Sequence, residues 1–578
     1  MTLPLEAFAP PFEADRYEKV EELRLHPFFT NLNKSVYVPL IFAPELVGAL
    51  CSLTSRAAQD LRYLFYHRYV KAFVEPIREK NDTDISFAVK VAYGKELRDF
   101  IYFLQSHPIE TLYSHPAARS FYLRWLAQYG DDSIAQMAGC HLVYAGLSQL
   151  AIKHLEDQRV GLAPIEKSTR YVDYSRKVNG HYLYYVDPTL KEMGLEDDYR
   201  EATDRLFETY GVLRQPLIAW LTERFPEEKA DVIEKKAFDT LRGLLPTSTL
   251  SQVAFFGNGQ AFEHMINRSK AHPLGEIRWA ATRGDEELNR IIPAFLRRLR
   301  DDEKKEMIVE YQSYLVGKKD RMAPYAYQYL RDSDHTLISS MPHPEVRLVE
   351  YDPIGEEKII TGMLYEAVGN HRSWSEILNR VLRMTKEQKK EIVDEYLKGR
   401  GEDLKDRWKK AGRALENTFV RFDIVMNIGA WRDLHRHRMH TQQRQDFSPY
   451  HGYDIPQEVI DAGLENAFRA ALDPLEDLYE KIARHDPYVA QYAVGMAHRM
   501  RFMQWQNMRQ VDWEVALRTI PEGHPDYRSI EQEKFRLLQQ IYPIISQYIK
   551  VNMGQYDFAR RGQAEKIALK EKKLQEGS

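Results

Sequence analysis

Seven cationic or imidazole side chains crowd one stretch of the chain, WRDLHRHRMHTQQRQDF at 431–447. Arg432, Arg436, Arg438 and Arg444 stand among His435, His437 and His440. Guanidiniums this close repel one another unless they face water or an anion. A phosphate-bearing ligand would neutralise them, because Arg offers paired donors to phosphate oxygens; a solvated basic face is the alternative. The three histidines, spaced i, i+2, i+5, do not share one helical face, and their cationic neighbours oppose a metal ion, so no metal site is expected. A second segment, LAPIEKSTRYVDYS at 162–175, alternates Glu166, Ser168 and Arg170. In an extended chain these three point the same way. A carboxylate, a hydroxyl and a guanidinium on one face suit a nucleotide, with Arg and Ser for phosphate and Glu for a sugar hydroxyl or ring N–H. A surface strand with one ion pair is the other reading.

The elements that must position these groups read mostly as helices. LRDFIYFLQ, AARSFYLRWLAQYG, HLVYAGLSQLAIKHLEDQ and EELNRIIPAFLRRLRDDEKKEMIVEYQSYL place apolar residues at three- and four-residue spacing. Two strands are expected, at 178–187 (VNGHYLYYVD) and 346–353 (VRLVEYDP). TFVRFDIVMNIGAW, just before the basic cluster, reads as a buried strand or helix that delivers it to the edge of a cleft. DSDHTLISSMPHPEV, near 332–346, breaks helical periodicity and reads as a linker. The tail AEKIALKEKKLQEGS reads as a frayed helix. The expected class is α+β, predominantly helical.

Composition narrows the function. The chain has 578 residues, 44% hydrophobic and 29% charged, as a folded protein does. Two cysteines, Cys51 and Cys140, cannot make a disulfide scaffold or a four-Cys zinc site. No apolar run is long enough to span a bilayer, and MTLPLEAFAPPFEADRYEKV has neither the basic nor the apolar part of a secretory leader. A cytoplasmic location is therefore expected. A net charge of −4 argues against nucleic acid as a partner.

The chain also repeats itself. MGLEDDYREATDRLFETYGVL (193–213) matches AGLENAFRAALDPLEDLYEKI (462–482), pairing Gly194 with Gly463, Arg200 with Arg469, Leu206 with Leu475 and Tyr210 with Tyr479. Each copy follows a Tyr-rich, Pro-containing segment. Each precedes an Asn with an Arg about ten residues on (Asn258 and Arg268; Asn507 and Arg518), then a His-Pro pair, His272-Pro273 or His524-Pro525. Two related domains follow, at 111–335 and 345–578, with 1–110 an N-terminal helical extension or the diverged start of the first.

The basic cluster resembles the Arg-His-Arg signature of flavin-dependent thymidylate synthases, which is followed after seven residues by Ser in a run like Asn-Glu-x-Ser-x-Arg-Tyr. Here the signature is divided. The second copy keeps Arg436-His437-Arg438 but carries Arg444, Asp446 and Ser448 at the Glu, Ser and second Arg positions. The first copy keeps Glu166, Ser168, Arg170 and Tyr171 behind Asp157-Gln158-Arg159. HRMRFMQWQNMRQVDWEVALRT (498–519) is similar to the family's Arg-rich helix, with Arg501, Asn507, Arg509 and Arg518 in register. LPTSTLSQVAFFGNGQAFEHMINR (245–268) keeps Leu245-Pro246, Asn258 and Arg268. FYLRWLAQYGDDSIAQMAGCHLVY (121–144) resembles the family's helix and turn before the core strand, with Asp131-Asp132 where a His-rich turn is usual.

The resemblance implies tandem domains, each a small sheet with packed helices. It implies reductive methylation of dUMP to dTMP with methylenetetrahydrofolate, NADPH and FAD. It also implies a homodimer of pseudo-tetrameric arrangement. Arg436, His437, Arg438 and Arg159 would hold the cofactor; Glu166, Ser168, Arg170, Arg268, Arg501 and Arg518 would hold the substrate, each copy giving part of a composite site. No catalytic base is assigned, since reduced flavin carries the hard step. A flavoenzyme for another pyrimidine nucleotide, or a non-catalytic nucleotide- or flavin-binding paralogue, remains open.

Overall fold

The computed structural model describes residues 3–40, 42–76, 87–107, 115–118, 120–121, 132–137, 139–158, 161–299, 305–330, 345–401 and 403–558. All but the last two residues of the expected linker near 332–346, the tail, and most of AARSFYLRWLAQYG lie outside these. The fold is α+β and mostly helical, with two antiparallel four-stranded sheets.

Along the chain the elements used below are β1 (Val36–Tyr37), α1 (Pro44–Thr54), α2 (Leu61–Phe65), α3 (Phe87–Gln105), β2 (Gly139–Ser148), α4 (Gln149–Glu156), β3 (Leu162–Glu166), α5 (Glu196–Arg224), α6 (Ala230–Leu241), β4 (Leu250–Asn258), α7 (Gly259–Lys270) and α8 (Gly275–Ile291). The second half adds β5 (Glu345–Tyr351), β6 (Phe419–Asn427), α9 (Ile428–Leu434), β7 (His440–Arg444), β8 (Arg499–Asn507), α10 (Met508–Arg518) and α11 (Pro525–Ile541).

The two sheets run β1-β2-β4-β3 and β5-β6-β8-β7, the same order twice. Ser148 pairs with Leu250 in the first, Asn427 with Arg499 in the second, so residues of β4 and β8 correspond at an offset of 249. β1 stands where β5 stands, so the first 110 residues give the first sheet its edge strand. Their helices α1 and α2 bury Leu50, Leu61 and Phe65 in a cluster that includes Val143 and Ala254 of that sheet.

Repeated residues have repeated duties. Ser148, Asn258, Asn427 and Asn507 each end a strand and cap the next helix, accepting from the amide three residues on at 2.8–3.0 Å. Gly194 and Gly463 both sit at positive φ (71° and 70°) behind short helices, where a side chain would be strained. The rings of His272 and His524 accept from the amides of Leu274 and Asp526 at 3.1 and 3.2 Å, starting α8 and α11.

Four expectations need correction. HLVYAGLSQLAIKHLEDQ is β2 followed by α4, not one helix; 498–519 is β8 followed by α10, likewise. In β8, Met500, Phe502, Gln504 and Gln506 alternate inward, and the two inward glutamines hide the period of two. The Tyr-rich 178–187 is no strand and makes only isolated bridges, Val178 with His181 and Tyr184 with Thr249. The helix expected over 286–315 is broken by a 3-10 stretch at Pro293–Leu299.

The compact units do not follow the sequence halves. Unit 1 comprises Met1–Val212, Leu244–Asp334 and Ala470–Val494; unit 2 comprises Leu213–Gly243, His335–Arg469 and Gly495–Ser578. Each unit thus incorporates a helical segment from the other half.

Candidate functional site

In unit 2 the basic signature lies on the turn between α9 and β7. β6 feeds α9 through the Asn427 cap, and the helix ends at Leu434. Beyond it, burial alternates. His435 is inside, its ring 4.6 Å from that of Trp431. Arg436 faces out, 3.8 Å from Asp433. His437 is inside, and Arg438 is outside. The cations meet water while the imidazoles pack beneath them.

Arg518, the last residue of α10, reaches this turn. Its Nε donates to Nε2 of His437 at 2.9 Å, which requires that nitrogen to be an acceptor. Gln510 lies 3.2 Å from the other ring nitrogen. Burial pushes His437 down to about 3, and Arg518, His440 and Lys534 push the same way against Glu514. The ring is therefore neutral at physiological pH, and it fixes the guanidinium that follows α10.

Beneath the turn lies a buried charge network. Glu514 of α10 accepts from Gln504, Gln506 and Gln510. Lys534 of α11 lies 3.3 Å from Glu514 and 2.8 Å from Glu531, all three fully buried. Burial alone would raise Glu514, but Lys534 and the two histidines hold it well below the usual range. Burial lifts Glu531 to about 8, with Lys534 opposing the rise and Glu514 adding to it. Glu514 and Lys534 are thus the ionised pair, and Glu531 carries a proton. Sequence reasoning missed this network; its signal was charged residues three apart, Glu531 and Lys534, on the apolar face of Ile530, Phe535 and Leu538.

The other second-half candidates sit apart from His437. Arg501 faces Asp423 at 3.5 Å, half-exposed. Arg444, at the family's Glu position, lies over the rings of Phe447 and Trp431 at 4.6 and 5.6 Å.

Unit 1 treats the equivalent positions differently. Counting from the caps Ser148 and Asn427, Gln158 falls where His437 does and Asp157 where Arg436 does; Arg159 lies outside the described residues. Glu166 is turned inward, with no exposure, accepting from Lys153 at 2.7 Å, and Lys153 also donates to Glu156 at 2.5 Å. Ser168 is held by backbone, its N–H on Ser55 O and its Oγ accepting from the amide of Arg170. Arg170 is buried, and Arg268 is half-buried on α7.

Both units place an acid beside the cap of the helix that follows their second strand, buried in unit 1 and partly exposed in unit 2. In unit 1 it is Glu276, accepting from Ser148 N and Oγ at 2.7 and 2.6 Å and from the Tyr492 hydroxyl at 2.7 Å. Burial raises it to about 7, against those hydrogen bonds. In unit 2 it is Asp526, accepting from Asn427 Nδ2 at 2.7 Å.

Comparison with known proteins agrees with the repeated sheets. The family described as thymidylate synthase complementing protein matches residues 77–294 and again 348–544. A UPF0159 protein of Chlamydia pneumoniae is 33% identical over 93% of this chain and 96% of its own length. One from Chlamydia muridarum is 32% identical over 94% and 97%. A third, from Thermoplasma acidophilum, is 27% identical over 77% and 91%.

Proposed function

The chain belongs to the thymidylate synthase complementing protein family, and on that premise we propose that it is a flavin-dependent enzyme of the thymidylate synthase type. It methylates dUMP with methylenetetrahydrofolate as carbon donor and NADPH as reductant, at a site built on unit 2. One observation carries this reading. The Arg518–His437 contact brings the anion-binding Arg at the end of α10 onto the signature triplet, 81 positions away in sequence.

The turn suits an anionic dinucleotide. Two exposed guanidiniums, Arg436 and Arg438, flank a neutral imidazole and offer paired donors to phosphate oxygens. When bound, FAD would supply the redox chemistry. The chain's own residues bind and orient. Arg436 and Arg438 take phosphate oxygens of the cofactor. Arg518, its direction fixed by His437, takes the nucleotide. Glu166 is engaged with Lys153, so its nucleotide role passes to Arg518. At the matching turn of unit 1, Asp157 and Gln158 stand where unit 2 has Arg436 and His437, so the intact triplet supports one site per chain, on unit 2.

A second reading has its own support. Arg444 replaces the family's Glu, and its guanidinium lies on aromatic faces rather than offering an acceptor to a ring N–H. That favours a flavoenzyme acting on another pyrimidine nucleotide.

A visible spectrum of the purified protein, followed by dUMP titration, tests the first reading. A flavin band that shifts with dUMP, and growth of a thymidine auxotroph without thymidine, is the expected result. A flavin band indifferent to dUMP selects the second reading. A colourless protein that takes up no FAD overturns both.

A further inference from the structure

The His437 ring is offered two hydrogen bonds that it cannot accept together. Arg518 Nε lies 2.9 Å from its Nε2 and donates to it. Gln510 Nε2 lies 3.2 Å from its Nδ1. A neutral imidazole has one acceptor nitrogen, and its other nitrogen carries the proton. With Arg518 in place the proton is on Nδ1, where it faces a nitrogen that is itself a donor.

Gln510 cannot yield by turning its amide over. The same Nε2 lies 3.1 Å from Glu514 Oε2, and an amide oxygen in its place would face a carboxylate oxygen. Glu514 acts as an acceptor throughout, since Gln504, Gln506 and Lys534 also donate to it. Neighbouring His440 is held in the same way. Its Nδ1 lies 2.9 Å from Gln504 Nε2, an amide nitrogen that also donates to Glu514. Gln510 therefore favours a ring with a bare Nδ1 and its proton on Nε2.

Arg518 can yield. It ends α10, is half-buried, and lies over the Tyr527 ring at 5.6 Å. It pairs with no carboxylate among the described residues. A guanidinium keeps its protons at any physiological pH, so what draws its Nε off the ring is a better acceptor.

We propose that a nucleotide phosphate arriving at Arg518 draws the guanidinium off His437, that the ring proton then moves from Nδ1 to Nε2, and that His437 donates to the same phosphate. One proton leaves Nδ1 for water and one reaches Nε2 from water, so the ring stays neutral. Gln510 and Glu514 are positioning residues here. They do not touch the ligand, but they make the Nε2–H tautomer the one without a clash. The phosphate thereby gains a neutral donor beside a cationic one. This rests on the reading of Arg518 as the nucleotide's anchor.

Ring 15N spectra of the full chain labelled at histidine test the exchange, with the His437 signal identified by its loss in His437→Gln. Inorganic phosphate and dUMP are the probes. The expected result is a proton on Nδ1 of His437 in the free protein and on Nε2 when either probe is saturating. In Gln510→Glu the new carboxylate accepts from Nδ1–H. The ring should then keep that tautomer, and both probes should bind at least tenfold more weakly. If that variant unfolds, the wild-type spectra carry the test alone. A switch with phosphate and no binding of dUMP would keep this proposal and remove the dUMP reading. A proton on Nε2 already in the free protein, a proton still on Nδ1 with a probe bound, no binding of either probe, or wild-type affinity in Gln510→Glu overturns it.

Discussion

Units 1 and 2 share a sheet order, cap positions and an acid beside one cap, yet they use the same polar positions to opposite ends. Unit 1 closes on itself. Lys153 satisfies both Glu156 and Glu166, and Tyr492 seals Glu276. Unit 2 stays open, with Arg436 and Arg438 facing out and Arg518 fixed on a neutral His437. The difference teaches that the repeated fold keeps the polar groups that start its helices, while the residues beyond them pair internally in one unit and face outward in the other.

The buried triads are the first place to break the comparison. Lys534→Met strands Glu514 beside Glu531, and Lys153→Met strands Glu156 beside Glu166. Each should cost about 3–5 kcal/mol in denaturant unfolding, because an uncompensated buried charge remains. A cost below 1 kcal/mol for Lys153→Met would mean that unit 1 has not converted Glu166 to a structural role.

The next effect is pH-dependent. Glu276 is raised in the fold from an ordinary value near 4.5 to about 7. A raised carboxyl contributes stability that is fully present below about 4.5 and lost as pH rises through 7. Glu276→Gln should remove this slope, worth about 3 kcal/mol across the window, in melts taken from pH 4.5 to 8. An unchanged slope would place the proton elsewhere.

Tyr492→Phe removes one hydroxyl from Glu276 and should cost about 1–2 kcal/mol, with no effect on ligand binding by unit 2. Smallest are the caps. Asn258→Ala and Asn507→Ala should each cost about 1 kcal/mol, and near-equal values would sharpen the claim that the units differ in their ligand positions and not in their helix starts.

Much of this was legible in the sequence where the duty is local. The repeat, its Gly194 and Gly463 turns, its asparagines and its His-Pro pairs all mark chain-local geometry, and so do the exposed cations of the signature. What escaped was long-range. Gln504 and Gln506 point inward only because Glu514 and Lys534 meet them there, so their strand read as a helix. The incorporation of 213–243 into unit 2 and of 470–494 into unit 1 leaves no mark in periodicity. Glu166 alternates as a ligand-binding residue would, and only the position of Lys153 turns it inward.

The central claim is that the flavin site belongs to unit 2 alone. Flavin stoichiometry per chain tests it most directly, measured by absorbance after FAD loading and desalting, for the wild type, Arg438→Ala and Gln158→Ala. The account predicts one FAD per chain, lost in Arg438→Ala and kept in Gln158→Ala. Two FAD per chain, or loss in Gln158→Ala with retention in Arg438→Ala, would contradict it.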